Sequence, residues 1–257
     1  MADGEPLMPT SMSSGLQPAR TLEQIRSLSK NTVRVGCASH PVLVRIPHDP
    51  AGARADSLVR QRKYARRALE RCALALNAPL AGWSQDTHGR PEPLNGHFWS
   101  IAHKRDWAAA VIAAGPVGID VEHIRPRNEL AWNAMAGLDE WALLERHGIA
   151  ADQPPNPAPL PEGSRRVEPP ANGVQRPSVR PWLAFFRMWT AKEAVLKANG
   201  VGLKGLDDCR LIELRGTSRL VLVFGGTAFE VEQIVFGDHI AAVTCGPELV
   251  FWHTLNE

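Results

Sequence analysis

The segment DWAAAV at 106–111 has a near copy 132 residues further along the chain, where 238–243 reads DHIAAV, and each copy is followed by Gly-Pro. Upstream of the two copies lie two further alanine-containing segments, ARRAL at 65–69 and AKEAV at 191–195. A repeated pattern of this kind indicates two related supersecondary units that pack on one another. We therefore predict an α+β fold made of two pseudosymmetric halves, with chance similarity between alanine-rich segments as the alternative.

The spacing of apolar residues predicts a helix over 57–76 that presents one apolar stripe to the core. The opposite face of this helix is strongly basic. Such a face is either simply solvated or a docking surface for a phosphate or an acidic protein. The basic residues are Arg60, Lys63, Arg67 and Arg71, with Arg62 and Arg66 beside them.

The remaining patterns predict a second long helix over 182–199, ended by Gly200, and a series of short strands. The strands are expected at 32–35, 42–46, 107–114, 117–122, 209–214, 220–224, 228–236, 240–244 and 250–254, with a helical region at 129–146 bent at Gly137. We expect a mobile N-terminal tail over 1–30, an N-terminal half over 31–117 and a C-terminal half over 118–257. Nine prolines between 151 and 181 predict an extended insertion in the C-terminal half.

Composition excludes several classes of protein. The 29 Lys and Arg residues against 27 Asp and Glu leave a net charge of only +2, which argues against non-specific nucleic-acid binding. No apolar run reaches the roughly 20 residues of a membrane span, and the first residues do not resemble a secretory signal. The four cysteines form no CxxC pair, so we expect reduced thiols rather than a zinc site. A cytoplasmic, monomeric enzyme is the expectation.

Two carboxylates end the predicted strand at 117–122. Asp120 and Glu122 are two residues apart, so both point to the same face of the strand. An oxygen-only pair of this kind suits Mg²⁺, which bridges to substrate phosphates. Solvated carboxylates at a strand end are the alternative.

The helix at 182–199 supplies a second charged group. Glu193 and Lys197 lie one helical turn apart on its polar edge, and as a surface ion pair they would contribute only some tenths of a kcal/mol. Lys192 falls inside the apolar arc, where its ammonium group must reach solvent or meet an anion. An acid and two lysines facing a carboxylate pair indicate a phosphoryl-transfer site.

Several motifs taken together resemble one family of enzymes. GIDVE at 118–122 and WTAKEAVLK at 189–197 are similar to the paired signature of the surfactin-synthetase-activator (Sfp) type of 4′-phosphopantetheinyl transferases. HGRP at 88–91, WSIAH at 99–103 and GVGL at 200–203 are similar to further elements of that family. In the second of these elements the family more often has Phe, Asn and Ser where this chain has Trp99, Ser100 and Ala102. The resemblance covers roughly 57–211.

The resemblance implies a fold of two halves with the active site at their interface. It also implies transfer of phosphopantetheine from coenzyme A to a serine of an apo acyl or peptidyl carrier protein, with release of 3′,5′-ADP. Asp120, Glu122 and Glu193 would hold Mg²⁺, and Glu193 or a water on the metal would take the serine proton. Lys197 would stabilise the phosphates and the leaving group, with Lys192 beside it.

Three further residues are implied in binding coenzyme A. Arg90 and His103 correspond to family contacts to the nucleotide 3′-phosphate, and Ser100 lies in the same element as His103. Two other functions remain open. One is a non-catalytic module of the same fold that binds carrier proteins, and the other is a Mg²⁺-dependent nucleotide hydrolase, for which the sequence shows no water-positioning group.

Overall fold

A computed structural model describes residues 40–48, 54–126, 135–146 and 180–255. The predicted tail at 1–30, the strand at 32–35, the start of the helical region at 129–134 and residues 151–179 of the proline-rich insertion lie outside the described residues. Within the described ranges, no helix has both the length and the apolar character needed to cross a membrane.

The described residues form an α+β fold with two antiparallel-rich sheets, as predicted from the repeat. The N-terminal sheet has the strand order β2-β3-β1-β9, and the C-terminal sheet has the order β4-β8-β7-β6-β5. The strands are β1 (Val42–Arg45), β2 (Phe98–Lys104), β3 (Trp107–Ala113), β4 (Ile119–His123), β5 (Arg210–Arg215), β6 (Arg219–Phe224), β7 (Thr227–Phe236), β8 (His239–Cys245) and β9 (His253–Leu255). The helices are α1 (Arg54–Ala75), α2 (Leu138–Arg146) and α3 (Arg180–Asn199), and a 3-10 turn spans Gly202–Gly205.

Each long helix covers the sheet of its own half. In α1 the predicted apolar stripe is buried at Ala65, Ala68, Leu69 and Cys72, each at most 1% exposed, but its last residue, Leu76, follows the end of the helix and is 38% exposed. In α3 the predicted core residues Met188, Ala191, Val195 and Leu196 are buried, whereas Trp189 and Ala198 are only partly buried. Pro181 lies within the first turn of α3, where a proline is tolerated. The helix therefore begins two residues earlier than the sequence predicts.

Strand register shows the repeat directly. In the N-terminal sheet, Leu43 of β1 pairs with Ala109 of β3, and in the C-terminal sheet Val121 of β4 pairs with Ala241 of β8. Ala109 and Ala241 are again 132 residues apart, the offset of the two sequence copies. The β2–β3 turn lies beside the β7–β8 turn. Trp107, at the start of β3, packs edge to face on Phe236, at the end of β7, with ring centroids 5.0 Å apart.

Several elements differ in extent from the sequence prediction. The helical region is described as helix at Met135 and over Leu138–Arg146, with the predicted break at Gly137 between them. Residues 98–103, which have no assigned structure from the sequence, belong to β2. The last predicted strand shortens to His253–Leu255 and pairs in parallel with β1, so the end of the chain completes the sheet of the N-terminal half.

The basic face of α1 is partly engaged within the protein. Arg66 donates a hydrogen bond to the carbonyl oxygen of Trp83 at 3.1 Å and lies over the Trp99 ring. Arg67 lies over the Tyr64 ring, with its guanidinium carbon 5.1 Å from the ring centroid. Arg66 therefore helps to hold α1 to its own half of the molecule, whereas the contact of Arg67 with Tyr64 lies within α1.

The chain approaches the backbone of α3 very closely at Gly118, immediately before β4. A Cβ on Gly118 would lie 1.9 Å from the Ala194 carbonyl oxygen and 2.7 Å from the Ala198 amide nitrogen, both in α3. Thr244 of β8 holds the glycine in place, since its hydroxyl accepts a hydrogen bond from the Gly118 amide at 2.9 Å. Only glycine permits this distance between β4 and α3.

We expect Gly118→Ala to lower the free energy of unfolding by at least about 3 kcal/mol, because the added methyl group meets helix backbone that cannot move independently. Urea denaturation followed by circular dichroism measures this loss. Gly225→Ala is the control: Gly225 has φ +56° and open space around it, so only the backbone cost of about 1–2 kcal/mol applies. Equal losses in the two variants would contradict the steric explanation.

Candidate active site

The two carboxylates of β4 lie on one face of the strand and are buried. Asp120 is 6% exposed and Glu122 is 7% exposed, as alternation along the strand requires when that face points into the protein. Buried carboxylates need charged or hydrogen-bonding partners. The two lysines that meet them come from two different elements.

Lys197 of α3 pairs with Asp120. Its ammonium nitrogen lies 2.7 Å from Asp120 Oδ1 and 3.1 Å from the carbonyl oxygen of Ile119. The close approach of β4 to α3 at Gly118 makes both distances possible. The pairing of these two predicted site residues is therefore set by backbone packing.

Lys104, at the end of β2, pairs with Glu122. Its ammonium nitrogen lies 2.9 Å from Glu122 Oε1 and 2.8 Å from Oε2. Lys104 is not among the site residues predicted from the sequence. A lysine directly after His103 was the only available signal, and its partner belongs to the other sheet.

Glu193 is half-buried near Asp120, and within the described part of the chain its carboxylate has no hydrogen bond. Burial raises the pKa of Glu193, and repulsion from Asp120 raises it further. Burial also raises the pKa of Asp120, opposed by Lys197. Asp120 Oδ2 is buried without a hydrogen-bond partner. The cluster thus keeps unneutralised negative charge between Asp120 and Glu193.

The donor set fits a hard divalent cation in part. Asp120 Oδ2 and the Glu193 carboxylate are oxygen donors that no described side chain occupies, and Mg²⁺ prefers such donors. Glu122, the third predicted ligand, is held by Lys104. Among the residues that the structure describes, no three His, Cys, Asp or Glu side chains lie close enough together to hold a metal ion.

Arg90 and His103, both predicted to contact the nucleotide, line different cavities. His103 lines a cavity of about 780 Å³ with Lys104, Arg105 and Arg125, and its Nδ1 lies 3.0 Å from Gln61 Oε1. Burial, followed by the charge of Lys197, lowers the pKa of His103. The His103 imidazole therefore lies beside three basic side chains, in surroundings that favour its neutral form.

Arg90 lines a second cavity, of about 320 Å³, together with Lys197 and Gly200. Its backbone is held by Asp86, whose Oδ1 accepts a hydrogen bond from the Arg90 amide at 2.9 Å, and this bond lowers the pKa of Asp86. Gly200 makes room for the side chain, because a Cβ there would lie 2.7 Å from Arg90 Nε. Lys197 is the residue that connects this cavity to the carboxylates.

Ser100, another predicted nucleotide contact, lines neither of these two cavities. It is 3% exposed, and its hydroxyl accepts a hydrogen bond from the Ile119 amide at 3.2 Å. Ser100 belongs to β2 and Ile119 to β4. The hydroxyl therefore joins the two sheets beside the carboxylates.

Lys192, predicted to act beside Lys197, is buried away from the carboxylate cluster. It is 1% exposed, and its ammonium nitrogen lies 2.9 Å from the Met135 carbonyl oxygen and 3.1 Å from Glu140 Oε1. Glu140 also accepts hydrogen bonds from the amides of Leu211 and Gly137. The anion that the buried Lys192 requires is thus Glu140 of α2. Lys192 and Glu193 are neighbours in sequence but point to different sides of α3.

We expect Lys192→Met to lower the free energy of unfolding by about 3–5 kcal/mol, since it removes the buried cation from Glu140 and leaves that carboxylate only the exposed Arg210, 3.4 Å away. Thermal and urea denaturation measure the loss, and Lys204→Met, which removes an exposed lysine, is the control. The double variant Lys192→Met/Glu140→Gln should recover part of the stability. A stable Lys192→Met protein with weakened nucleotide binding would instead place Lys192 in the binding site.

The chain is similar in sequence to known proteins. The chain is 24% identical to 4′-phosphopantetheinyl transferase psf-1 of Bacillus pumilus over 123 residues, which cover 46% of this chain and 40% of that protein. The alignment thus spans less than half of the relative. Residues 116–244, which include β4 and α3, match the model of the 4′-phosphopantetheinyl transferase superfamily. Asp120, Glu122, Glu193 and Lys197 lie within the matched residues and Lys104 lies outside them, and the chain belongs to the 4′-phosphopantetheinyl transferase superfamily.

Proposed function

We propose that this protein transfers the 4′-phosphopantetheine group from coenzyme A to a serine of an apo acyl or peptidyl carrier protein, in a Mg²⁺-dependent reaction that releases 3′,5′-ADP. The main support is the cluster at the junction of β4 and α3, where Lys197 contacts Asp120 at 2.7 Å beside Glu193, whose carboxylate has no hydrogen bond to a described residue. Phosphoryl transfer needs positive charge near the leaving oxygen and an acceptor for the nucleophile's proton. This cluster offers both.

Asp120 and Glu193, with Glu122 beside them, are the residues proposed to hold Mg²⁺. Bound there, the ion would neutralise charge on the pyrophosphate of coenzyme A. The donors are all carboxylates, which is the chemistry this ion prefers.

Glu193 is the proposed general base. Its pKa is raised by burial and by Asp120, so it binds a proton more readily than an exposed glutamate does. The serine oxygen of the carrier protein would form a bond to the β-phosphorus of coenzyme A as its proton passes to Glu193. The bond from that phosphorus to the bridging oxygen would break, and 3′,5′-ADP would leave with the electron pair.

Lys197 and Arg90 are proposed to act on the nucleotide side of the bond that breaks. Both line the cavity of about 320 Å³, so one anionic ligand can contact both. Lys197 adjoins the carboxylates and would stabilise charge on the leaving phosphate. Arg90 lies further from them and would contribute to binding.

Mass spectrometry of a small panel of apo carrier proteins tests the proposal. Each carrier is incubated with this protein, coenzyme A and Mg²⁺, and the expected result is a mass increase of one phosphopantetheine on at least one of them. Carrier binding without a mass increase would support the non-catalytic module instead. Release of free phosphopantetheine in the absence of a carrier would support the hydrolase.

We expect Glu193→Gln to lower kcat about 10³-fold while the protein stays as stable as the wild type, because the neutral amide removes the proton acceptor and relieves repulsion with Asp120. Steady-state kinetics and thermal denaturation measure the two quantities. Glu145→Gln, at an exposed position of α2, is the matched control and should change neither. Near-normal turnover in Glu193→Gln would overturn the assignment of the site.

Lys197→Met and Arg90→Ala should have different kinetic effects. Lys197→Met should lower kcat about 10²–10³-fold, since a cation aimed at the leaving group acts mainly in the transition state. Arg90→Ala should raise the KM for coenzyme A about tenfold with kcat nearly unchanged, because it removes a charged contact made throughout the reaction. Identical changes in both variants would contradict these separate roles.

A further inference from the structure

Lys104 and Lys197 form two similar ion pairs with the carboxylates of β4. In the first pair the Lys104 side chain is 31% exposed and Glu122 is 9% exposed, and in the second the Lys197 side chain is 32% exposed and Asp120 is 8% exposed. Each lysine thus retains contact with solvent, whereas each carboxylate is almost completely enclosed. A lysine can therefore leave its carboxylate only if another cation replaces it.

Lys104 also has a place to go. It lines the cavity of about 780 Å³ together with His103, Arg105 and Arg125, so that cavity has a basic wall on the same side as the ion pair. An ammonium group that left Glu122 could enter this cavity without losing solvent contact. The basic wall favours an anion as the ligand.

The charges in the cluster explain why such an exchange is favourable. Three carboxylates, Asp120, Glu122 and Glu193, stand against two lysines, so the metal-free cluster has only one unbalanced negative charge. A divalent cation alone must displace Lys104 to gain Glu122 as a ligand. A phosphate that arrives with the cation offers Lys104 a new partner and removes that cost.

We propose that Lys104 is an exchangeable counterion, which neutralises Glu122 in the metal-free protein and binds a phosphate group of the nucleotide substrate when a divalent cation takes its place. This inference rests on the proposed function. The exchange of Lys104 makes binding of the cation favour binding of the nucleotide, and binding of the nucleotide favour binding of the cation. The ion pair weakens cation binding in the absence of nucleotide, and the released Lys104 contributes to nucleotide binding in the presence of the cation.

Lys104→Met separates these two effects, because they have opposite signs. Titration of the purified protein with Mn²⁺, followed by electron paramagnetic resonance without nucleotide, should show about tenfold tighter binding than the wild type. Calorimetric titration with 3′,5′-ADP in the presence of Mg²⁺ should show about tenfold weaker binding. If Lys104 had a purely structural role, its replacement would not tighten the binding of one ligand and weaken the binding of the other.

Three further variants complete the test. Lys104→Arg keeps the charge and should restore both affinities, and Lys204→Met, at an exposed lysine of the 3-10 turn, should change neither. Lys104→Met/Glu122→Gln should bind Mn²⁺ no more tightly than Glu122→Gln alone, because the gain depends on the carboxylate. Circular dichroism establishes that each variant is folded, and Lys104→Gln replaces Lys104→Met if the latter does not fold.

The outcomes distinguish the proposal from the function on which it rests. Unchanged or weaker Mn²⁺ binding in the Lys104 variant would overturn the counterion role. Tighter Mn²⁺ binding with unchanged 3′,5′-ADP affinity would overturn the exchange onto phosphate. If the wild type binds Mn²⁺ but neither binds 3′,5′-ADP nor modifies a carrier, the proposed function fails, while the Mn²⁺ comparison still decides whether Lys104 competes for Glu122.

Discussion

Direct contact between the backbone at Gly118 and the backbone of α3 is the constraint on which the candidate site depends. The space for a Cβ on Gly118 is already occupied by the Ala194 carbonyl oxygen. Because strand and helix approach this closely, Lys197 reaches both the Asp120 carboxylate and the Ile119 carbonyl oxygen. A larger residue at 118 would separate β4 from α3. The buried Asp120 carboxylate would then lose its contact with Lys197.

The same helix shows how position alone assigns different roles to similar residues. Lys192 and Lys197 are five residues apart in α3, yet the first is enclosed with Glu140 and the second adjoins Asp120. A buried ion pair contributes little net stability, because desolvation offsets the attraction, but the loss of one partner is costly. Lys192 and Glu140 thus hold α2 to α3, whereas Lys197 remains a third exposed and able to contact a ligand.

Comparison of the two halves shows why the carboxylates of β4 need lysine partners. By strand register, Asp120 and Glu122 of β4 occupy the places that Val42 and Val44 occupy in β1 of the other half. Two positions that are apolar core in one half are therefore carboxylates in the other. Their burial raises the cost of charge, and Lys197 and Lys104 offset it from α3 and from the opposite sheet. The carboxylates of the candidate site are therefore specific to one half of a nearly symmetric scaffold.

Local patterns in the sequence determined the two related halves of this protein and the faces on which several charged side chains lie. The repeat of DWAAAV and DHIAAV predicted two related halves, and strand alternation placed Asp120 and Glu122 on one face. Helical periodicity placed Lys192 in the apolar arc of α3, where the structure finds it buried. These features follow from the chain's own geometry over one or two turns or strands, which sequence spacing records directly.

Tertiary structure alone decided which charges meet. Lys104 pairs with Glu122 across two sheets, Glu140 supplies the anion for Lys192 from another helix, and Ser100 bonds to β4 instead of lining either cavity. The separation of Arg90 and His103 into two cavities also depends on how the halves pack. Spacing along the chain predicts the face on which a side chain lies, whereas its partner is chosen by the layers that pack against that face, and those contacts join residues distant in sequence.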